Sequence, residues 1–358
     1  MLFGKKQKKT VLLMHNGGRL GNQLWLMLGL YAYSLEKKRL FDPRCFFEYQ
    51  EYFNIPIPSL WSRTLGKLFY FMENTLKVPE HIMRDLFYGP YTLWSEIFNL
   101  FKRNEVVFDT AHSSQMTFRI FLYKRHKTSL RLIKNIFYAL IRKKEEYTPA
   151  HFQTRVPVLT MLPPTRADDP WEHKNLYTYG WHFRNPVGLI THRSAIKNFF
   201  TPKKRIVEKT EGMVAEARKK YKKIVGVHIR LGDVTQEFYD NDRIAYSEPE
   251  VFDILTNFVT FSGMNAKDIC FFICSDGKIA ESSFPGLNLI ITKNNAVEDV
   301  WLLSLTDTII GADSSFAILA SYLGNKPFIV FKRGGIDWEY YQDKTGYFEN
   351  KYVKRFIY

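Results

Sequence analysis

Cysteine is scarce in this chain: the 358 residues include only Cys45, Cys270 and Cys274. These form no C-x-x-C pair and no cluster with histidine, so no metal-ligand or redox motif is present. Cys270 and Cys274 stand four residues apart in an apolar run that is typical of a strand, which places both on one face, where we expect them to pack. Nothing in this pattern requires an oxidising compartment.

Long apolar runs are absent as well. No uncharged apolar run approaches the roughly 20 residues that a membrane-spanning helix needs. The basic N-terminus, MLFGKKQKKT, leads directly into a short apolar run at residues 11–14 and lacks the apolar stretch and cleavage site of a secretion signal. We therefore expect a cytoplasmic protein, with peripheral contact at the inner face of a membrane as an open alternative.

Acidic residues are in the minority. The sequence has 51 Lys and Arg against 36 Asp and Glu, a net charge of +15. Such a balance indicates an anionic partner, which is a nucleotide, a nucleic acid or a membrane surface. No base-reading motif is present, so we expect no nucleic-acid partner.

The most basic tract spans residues 118–144, with nine Lys or Arg and no acid. Its apolar residues follow helical spacing: Leu130, Ile133, Ile136, Phe137, Leu140 and Ile141. One interpretation is a basic amphipathic helix on an anionic membrane. The other is a helix whose apolar face packs inside an N-terminal domain.

The length and the order of patterns predict two domains, 1–202 and 203–358. The first 40 residues predict a strand, a glycine-rich turn and a helix, and an aromatic, basic and irregular insertion follows at about 41–147. From residue 203 onward, apolar strands alternate with amphipathic helices. This alternation predicts a doubly wound α/β domain around a parallel sheet.

Ligands of such sheets bind at the carboxyl ends of the strands. Three polar clusters fall there: Arg230 follows IVGVHI, Asp276 follows FFICS, and Ser314 with Ser315 follows IIGAD. The sequence therefore predicts a site at one edge of the second sheet.

The motif VHIRLGDV, residues 227–234, places His228 and Arg230 on one face of a strand before Gly232 and Asp233. The planar fork of an arginine suits bidentate contact with a diphosphate. The alternative is an Arg–Asp surface pair that closes a turn.

In GADSSFAILASYLG, residues 311–324, Asp313, Ser314 or Ser315 can cap the helix that follows. A helix start with unbonded N–H groups beside two hydroxyls is also a phosphate site. The structural and the functional interpretation therefore coincide.

A second glycine-rich turn, NGGRLGNQLW, occupies residues 16–25. It is neither G-x-G-x-x-G nor a Walker loop, so by itself it indicates only a close approach of the backbone to a neighbour. The amides of Asn22 and Gln23 are suited to contact a sugar or a phosphate.

Together these motifs resemble the α-1,2-fucosyltransferases of glycosyltransferase family 11 and, more distantly, the wider GT-B fucosyltransferases. GGRLGNQLW resembles the family's G-G-x-G-N-Q turn with Arg19 inserted, and HIRLGD resembles its H-x-R-x-G-D motif. FFICSD and EDVWLLSLTDTIIGADSSF are similar to its Ser-Asp strand end and to its E-D-L-x-L-M-S run followed by S-S-F. The weaker LYTYGWHFRNP resembles a G-Y-x-Q segment without its Gln. The resemblance implies a GT-B-like fold, with two Rossmann-type domains facing a cleft.

The resemblance also implies roles. Arg230 would neutralise the diphosphate of GDP-fucose, and His228 and Asp233 would position it or contact the nucleotide. The donor-binding positions would be Gly18, Gly21, Asn22, Gln23, Asp276, Ser314, Ser315 and Phe316. Among these, Asp276 would contact the guanosine, and Asn22 would face the donor sugar.

The implied activity is inverting, metal-independent transfer of L-fucose from GDP-fucose to a glycan hydroxyl, with a galactoside α-1,2 linkage in surface polysaccharide synthesis. No cofactor or metal is expected; Asp240-Asn241-Asp242 has the shape of D-x-D but matches no family motif. Two alternatives stay open, a GT-B transferase with another nucleotide sugar and an inactive carbohydrate-binding relative.

Overall fold

Two parallel sheets organise the part of the chain that the computed structural model describes, and helices accompany both. This confirms the predicted α/β class with parallel sheets. The described residues are 10–13, 19–43, 46–57, 60–78, 106–109, 176–179, 185–232 and 245–346. Cys45, the tract 118–144 and most of the predicted insertion lie outside them, and the boundary at residue 202 stays a prediction.

The first sheet has the strand order β2-β1-β4-β3, with every neighbouring pair parallel. The sequence patterns predicted β1 but none of the other three strands, which have only three or four residues each. The strands are β1 Thr10–Leu13, β2 Leu40–Asp42, β3 Val106–Asp109 and β4 Leu176–Tyr179.

The second sheet has the order β7-β6-β5-β8-β9 and is also parallel throughout. The chain runs outward from β5 through β6 to β7, then crosses to the other side of β5 for β8 and β9. The strand order therefore reverses between β5 and β8. The strands are β5 Lys223–Ile229, β6 Ile269–Ser275, β7 Asn288–Ile291, β8 Thr308–Gly311 and β9 Phe328–Val330.

The helices of the described residues match the predicted ones wherever the sequence predicted a helix. Helix α6 shows both kinds of end signal: the Ser247–Glu250 capping box begins it, and the left-handed backbone of Gly263, at φ +64°, ends it. The helices are α1 Leu20–Glu36, α2 Leu60–Asn74, α3 Pro186–Thr191, α4 Arg193–Phe199, α5 Lys204–Arg218, α6 Glu248–Ser262, α7 Ala296–Leu305, α8 Ser315–Gly324 and α9 Trp338–Tyr341. None of them is long and apolar enough to cross a bilayer.

Both faces of the second sheet are covered, as its continuous apolar strands predict. Val225 and Val227 of β5 pack in a core cluster with α6, whereas Ile224 faces a cluster that includes α7 and α8. Cys270 and Cys274 are buried in the second of these clusters with free thiols, which confirms their predicted packing role.

Helix α8 connects the second sheet to α1 and α4, two helices that precede the predicted boundary at residue 202. The Trp25 indole Nε1 on α1 donates to the Ser315 carbonyl at 2.9 Å. At the other end of α8, Arg193 donates to the carbonyl oxygens of Tyr322 and Leu323 at 2.9 and 3.0 Å, which satisfies acceptors that a helix end leaves unpaired. The Trp25 bond holds α1 beside the start of α8, and the Arg193 bonds hold α4 at its end.

Candidate active site

The predicted motifs meet at the point where the second sheet reverses its strand order. His228 and Arg230 stand at the carboxyl end of β5, and Ser314 to Phe316 follow β8, its neighbour across the reversal. In open parallel sheets, ligands bind in the crevice that such a reversal creates. The topology alone therefore makes this edge the candidate site.

His228 is buried and makes two contacts with the start of α8. Its Nδ1 lies 3.3 Å from the Ser314 Oγ, and its ring stacks on Phe316 with 4.8 Å between the ring centroids. Burial lowers the pKa of His228 to about 4, the nearby Asp276 raises it, and the Arg230 charge lowers it. At neutral pH this imidazole is therefore uncharged, and it serves as a packing and hydrogen-bonding group.

The Ser314 hydroxyl caps α8 by accepting from the Ala317 N–H at 3.4 Å. Because Ser314 is the N-cap, the N–H groups of Ser315 and Phe316 fall in the first turn, where a helix offers no acceptor of its own. The positive end of the helix dipole lies at the same place. This helix start therefore presents donors and partial positive charge to an anion.

A second helix begins beside the first. An added Cβ at Gly21, in the first turn of α1, would lie 2.8 Å from the Ser315 Oγ and 3.0 Å from the Phe316 nitrogen. Only glycine allows the backbone of α1 to approach α8 this closely. Two helix starts and the Arg230 side chain, which is half-buried, thus lie at one edge.

Asp276, at the end of β6, binds the loop that follows Arg230. Its Oδ1 accepts from the N–H groups of Leu231 and Gly232 at 2.7 and 2.8 Å, and its Oδ2 accepts from Arg19 Nη1 at 2.9 Å. Burial raises the pKa of Asp276, but the two backbone N–H bonds and the nearby positive charges outweigh it, so the pKa lies below its usual value. Asp276 is therefore an ionised group that holds the Arg230 loop in place.

Asn22 and Gln23, which are adjacent in the glycine-rich turn, differ in burial. Gln23 is fully buried, and its Nε2 donates to the Glu48 Oε2 at 2.7 Å. Asn22, one residue earlier, is half-buried. Gly18 and Asp233 lie outside the described residues.

Sequence reasoning gave no role to Arg19 or to Trp25, although both reach the site. Arg19 was visible only as an insertion into a family motif, and Trp25 as one apolar residue of a helix. Their partners, Asp276 and Ser315, are more than 250 positions away in the chain, so no local pattern predicts these contacts.

Within the described ranges, no three His, Cys, Asp or Glu side chains come together as a metal site. Asp240 and Asp242 lie outside those ranges.

In sequence, the chain matches no protein-family model and no curated protein. Solved structures with a similar arrangement include fucosyltransferases. They include POFUT1 in complex with GDP-fucose (TM-score 0.48, 11% identity, covering 90% of this chain and 98% of that one) and the fucosyltransferase NodZ from Bradyrhizobium (0.43, 13%, 92% and 97%). A mutant of Arabidopsis thaliana FUT1 in complex with GDP is also similar (0.44, 11%, 96% and 75%). With every TM-score below 0.5, these similarities assign neither a family nor a function.

Proposed function

We propose that this protein is an inverting, metal-independent fucosyltransferase that moves L-fucose from GDP-fucose to a hydroxyl of a glycan acceptor. The observation that carries the proposal is the position of Arg230 and the α8 start on either side of the strand reversal. The geometry supports binding of a diphosphate, and the HIRLGD and SSF motifs support GDP-fucose as its source.

Arg230 and the first turn of α8 act on the leaving group. As the bond between the anomeric carbon and the diphosphate oxygen breaks, negative charge grows on GDP. The Arg230 fork and the N–H groups of Ser315 and Phe316 stabilise that charge better than they stabilise the bound donor. The acceptor oxygen forms the new bond and loses its proton to a base that we do not assign.

The two serines have different roles in this proposal. The Ser314 hydroxyl is engaged with the Ala317 N–H and with His228, so it shapes the helix start and does not bind phosphate. The Ser315 hydroxyl is the one that faces the diphosphate. The neutral His228 ring positions Phe316, which lines the nucleotide pocket.

We assign Asp276 as a positioning residue, because Arg19, Leu231 and Gly232 all donate to its carboxylate. A guanosine contact of Asp276 stays a proposal from the family resemblance. Asn22 is proposed to face the donor sugar from the start of α1. Gln23 is left out of the site because its amide binds Glu48 in the interior.

Several parts of the proposal rest on the family resemblance. Gly18 would form the donor-side turn, Asp233 would support Arg230, and no metal would be needed because Arg230 supplies the charge at the leaving group. The acceptor would be a galactoside of a surface polysaccharide, joined by an α-1,2 linkage. Membrane contact through residues 118–144 also stays a proposal.

A nucleotide screen followed by a transfer assay tests the proposal. A ligand that binds only the folded state raises the unfolding temperature, so GDP is expected to raise it, and UDP and ADP are expected to leave it unchanged. With GDP-fucose and a galactoside, release of GDP should accompany a fucosylated product whose NMR spectrum shows the inverted anomer. Selective stabilisation by UDP would favour a different donor, and binding of GDP-fucose without transfer would indicate an inactive relative.

A further inference from the structure

Helix α2 exposes an apolar stripe to solvent. Leu60, Leu68 and Phe71 are 71%, 46% and 48% exposed, and Leu76, just past the helix end, is 57% exposed. At about 100° per residue, the three helical members fall within an arc of about 80° on one side of α2. We call these four residues the α2 stripe.

The opposite side of α2 is packed firmly, so the stripe is not a consequence of a helix that lacks a fixed position. Phe69 on that side is 1% exposed. Gly66 approaches Gln50 so closely that any Cβ would clash with the Gln50 side chain, and the Gln50 Nε2 donates to the Arg63 carbonyl at 2.9 Å. The helix is therefore oriented with the stripe outward.

Positive charges flank the stripe. Arg63 and Lys67 are exposed, and helical spacing places both beside its Leu60–Phe71 edge, while Lys77 is exposed next to Leu76. Glu73, the one acid in α2, lies on the packed side, where it accepts from the Tyr52 hydroxyl at 3.2 Å. The outward surface of α2 is thus apolar and cationic without an acid.

We propose that the α2 stripe binds the interface of an anionic lipid bilayer, with Leu68 and Phe71 entering the headgroup region and Arg63, Lys67 and Lys77 contacting lipid phosphates. An apolar strip bordered by cations is the pattern of helices that lie in a membrane interface. A second copy of the chain fits this surface less well. An antiparallel two-fold contact through the stripe would bring the cations of one helix against the same cations of its partner. This inference does not depend on the proposed transferase activity.

Vesicle flotation with the full-length protein tests the inference. We expect binding to vesicles of phosphatidylcholine with phosphatidylglycerol, little binding to phosphatidylcholine alone, and release as salt is raised. The double variant Leu68→Ser/Phe71→Ser should bind at least tenfold more weakly, and Arg63→Gln/Lys67→Gln should lose the dependence on anionic lipid. Because all four side chains are exposed, circular dichroism and unfolding temperature should stay close to wild type.

Matched controls make the result specific. Val187→Ser/Ile190→Ser removes two apolar residues of similar exposure, 43% and 42%, from α3, and Lys220→Gln/Lys222→Gln removes two exposed lysines that follow α5. Neither control should change binding. Equal losses in the controls, or unchanged binding in the α2 variants, would overturn the inference. So would loss of binding only when Arg131, Lys134, Arg142 and Lys143 become Gln, or a dimer by light scattering that Leu68→Ser/Phe71→Ser converts to a monomer.

Discussion

Arg19 and Asp276 form an ion pair between residues 257 positions apart, with Arg19 Nη1 2.9 Å from the Asp276 Oδ2. It joins the start of α1 to the carboxyl end of β6. The second oxygen of Asp276 holds the backbone that follows Arg230, so a single carboxylate links the glycine-rich turn to the arginine loop. Both side chains of the pair are partly exposed, so its contribution to overall stability is small. Its main effect is on the position of Arg230.

We expect Asp276→Ala to reduce kcat/KM by about 10²-fold, because a shift of about 1 Å in a positioned group can have that effect. Arg19→Gln should reduce it less, since the backbone bonds of Asp276 remain. The free energy of unfolding should change by no more than about 2 kcal/mol in either variant. Steady-state kinetics and chemical denaturation measure the two quantities.

Lys222→Gln is the matched control for this prediction, because it removes an exposed ion pair with Asp268, 3.0 Å long, remote from the strand reversal. It should leave kcat/KM unchanged. A loss of activity in Asp276→Ala that merely follows a loss of folded protein would contradict the positioning role.

Gly21→Ala tests the close approach of the two helix starts. The new methyl group would lie 2.8 Å from the Ser315 Oγ, so we expect a loss of roughly 1–3 kcal/mol in unfolding free energy and weaker GDP binding. Gly212→Ala on α5 is the control, because a Cβ there meets nothing within 4 Å. In a helix interior that change should stabilise the protein by about 0.5–1 kcal/mol. Chemical denaturation measures the two stabilities, and calorimetry measures GDP binding. Unchanged stability and affinity in Gly21→Ala would show that the starts of α1 and α8 are further apart than this close contact requires.

His228→Gln tests the neutral imidazole through its pH dependence. The pKa of His228 is about 4 in the folded protein and about 6.5 when unfolded, so the unfolded chain binds more protons between those values. The unfolding free energy of the wild type should therefore decrease as pH falls through that range, by up to roughly 3 kcal/mol. The His228→Gln variant should lack this decrease.

Asp299 works in the opposite sense over part of the same range, because burial raises its pKa to about 6. The informative quantity is therefore the difference in unfolding free energy between wild type and His228→Gln, measured at pH 7 and again near pH 4.5. We expect the stability of the wild type relative to the variant to decrease at the lower pH. An unchanged difference would mean that His228 is not buried as a neutral group.

Excess EDTA should leave transfer unaffected, because the proposal assigns the leaving-group charge to Arg230 and the α8 start. Initial rates with and without chelator measure this directly. Activity lost in EDTA and restored by Mn²⁺ or Mg²⁺ would assign the reaction to a metal-dependent class and would direct attention to Asp240 and Asp242.

The strands and helices of the second sheet could be predicted from the sequence because each carries its own periodicity. Four-residue strands such as Val106–Asp109 and Leu176–Tyr179 could not, since their partners are distant and their surroundings are rich in aromatic residues throughout. Local patterns therefore predicted the second sheet and most of its edge.

The orientation of α1 could not be predicted from the sequence, for a different reason. Almost every residue of this helix is buried, so its hydrophobic pattern has no polar side that would show which residues face the site. Gln23 was predicted at the donor and lies against Glu48, whereas Arg19, one turn earlier, reaches Asp276. Only the tertiary contacts distinguish these two residues.

The turnover of Arg230→Lys measures the central claim most directly. Lysine keeps the charge but not the planar fork, so we expect kcat/KM with GDP-fucose to fall by at least about 10²-fold, nearly as far as in Arg230→Ala. Arg218 on α5 forms a bidentate pair with Asp307, and Arg218→Lys should keep wild-type turnover. If Arg230→Lys also kept near wild-type turnover, Arg230 would not be the residue that stabilises the departing diphosphate.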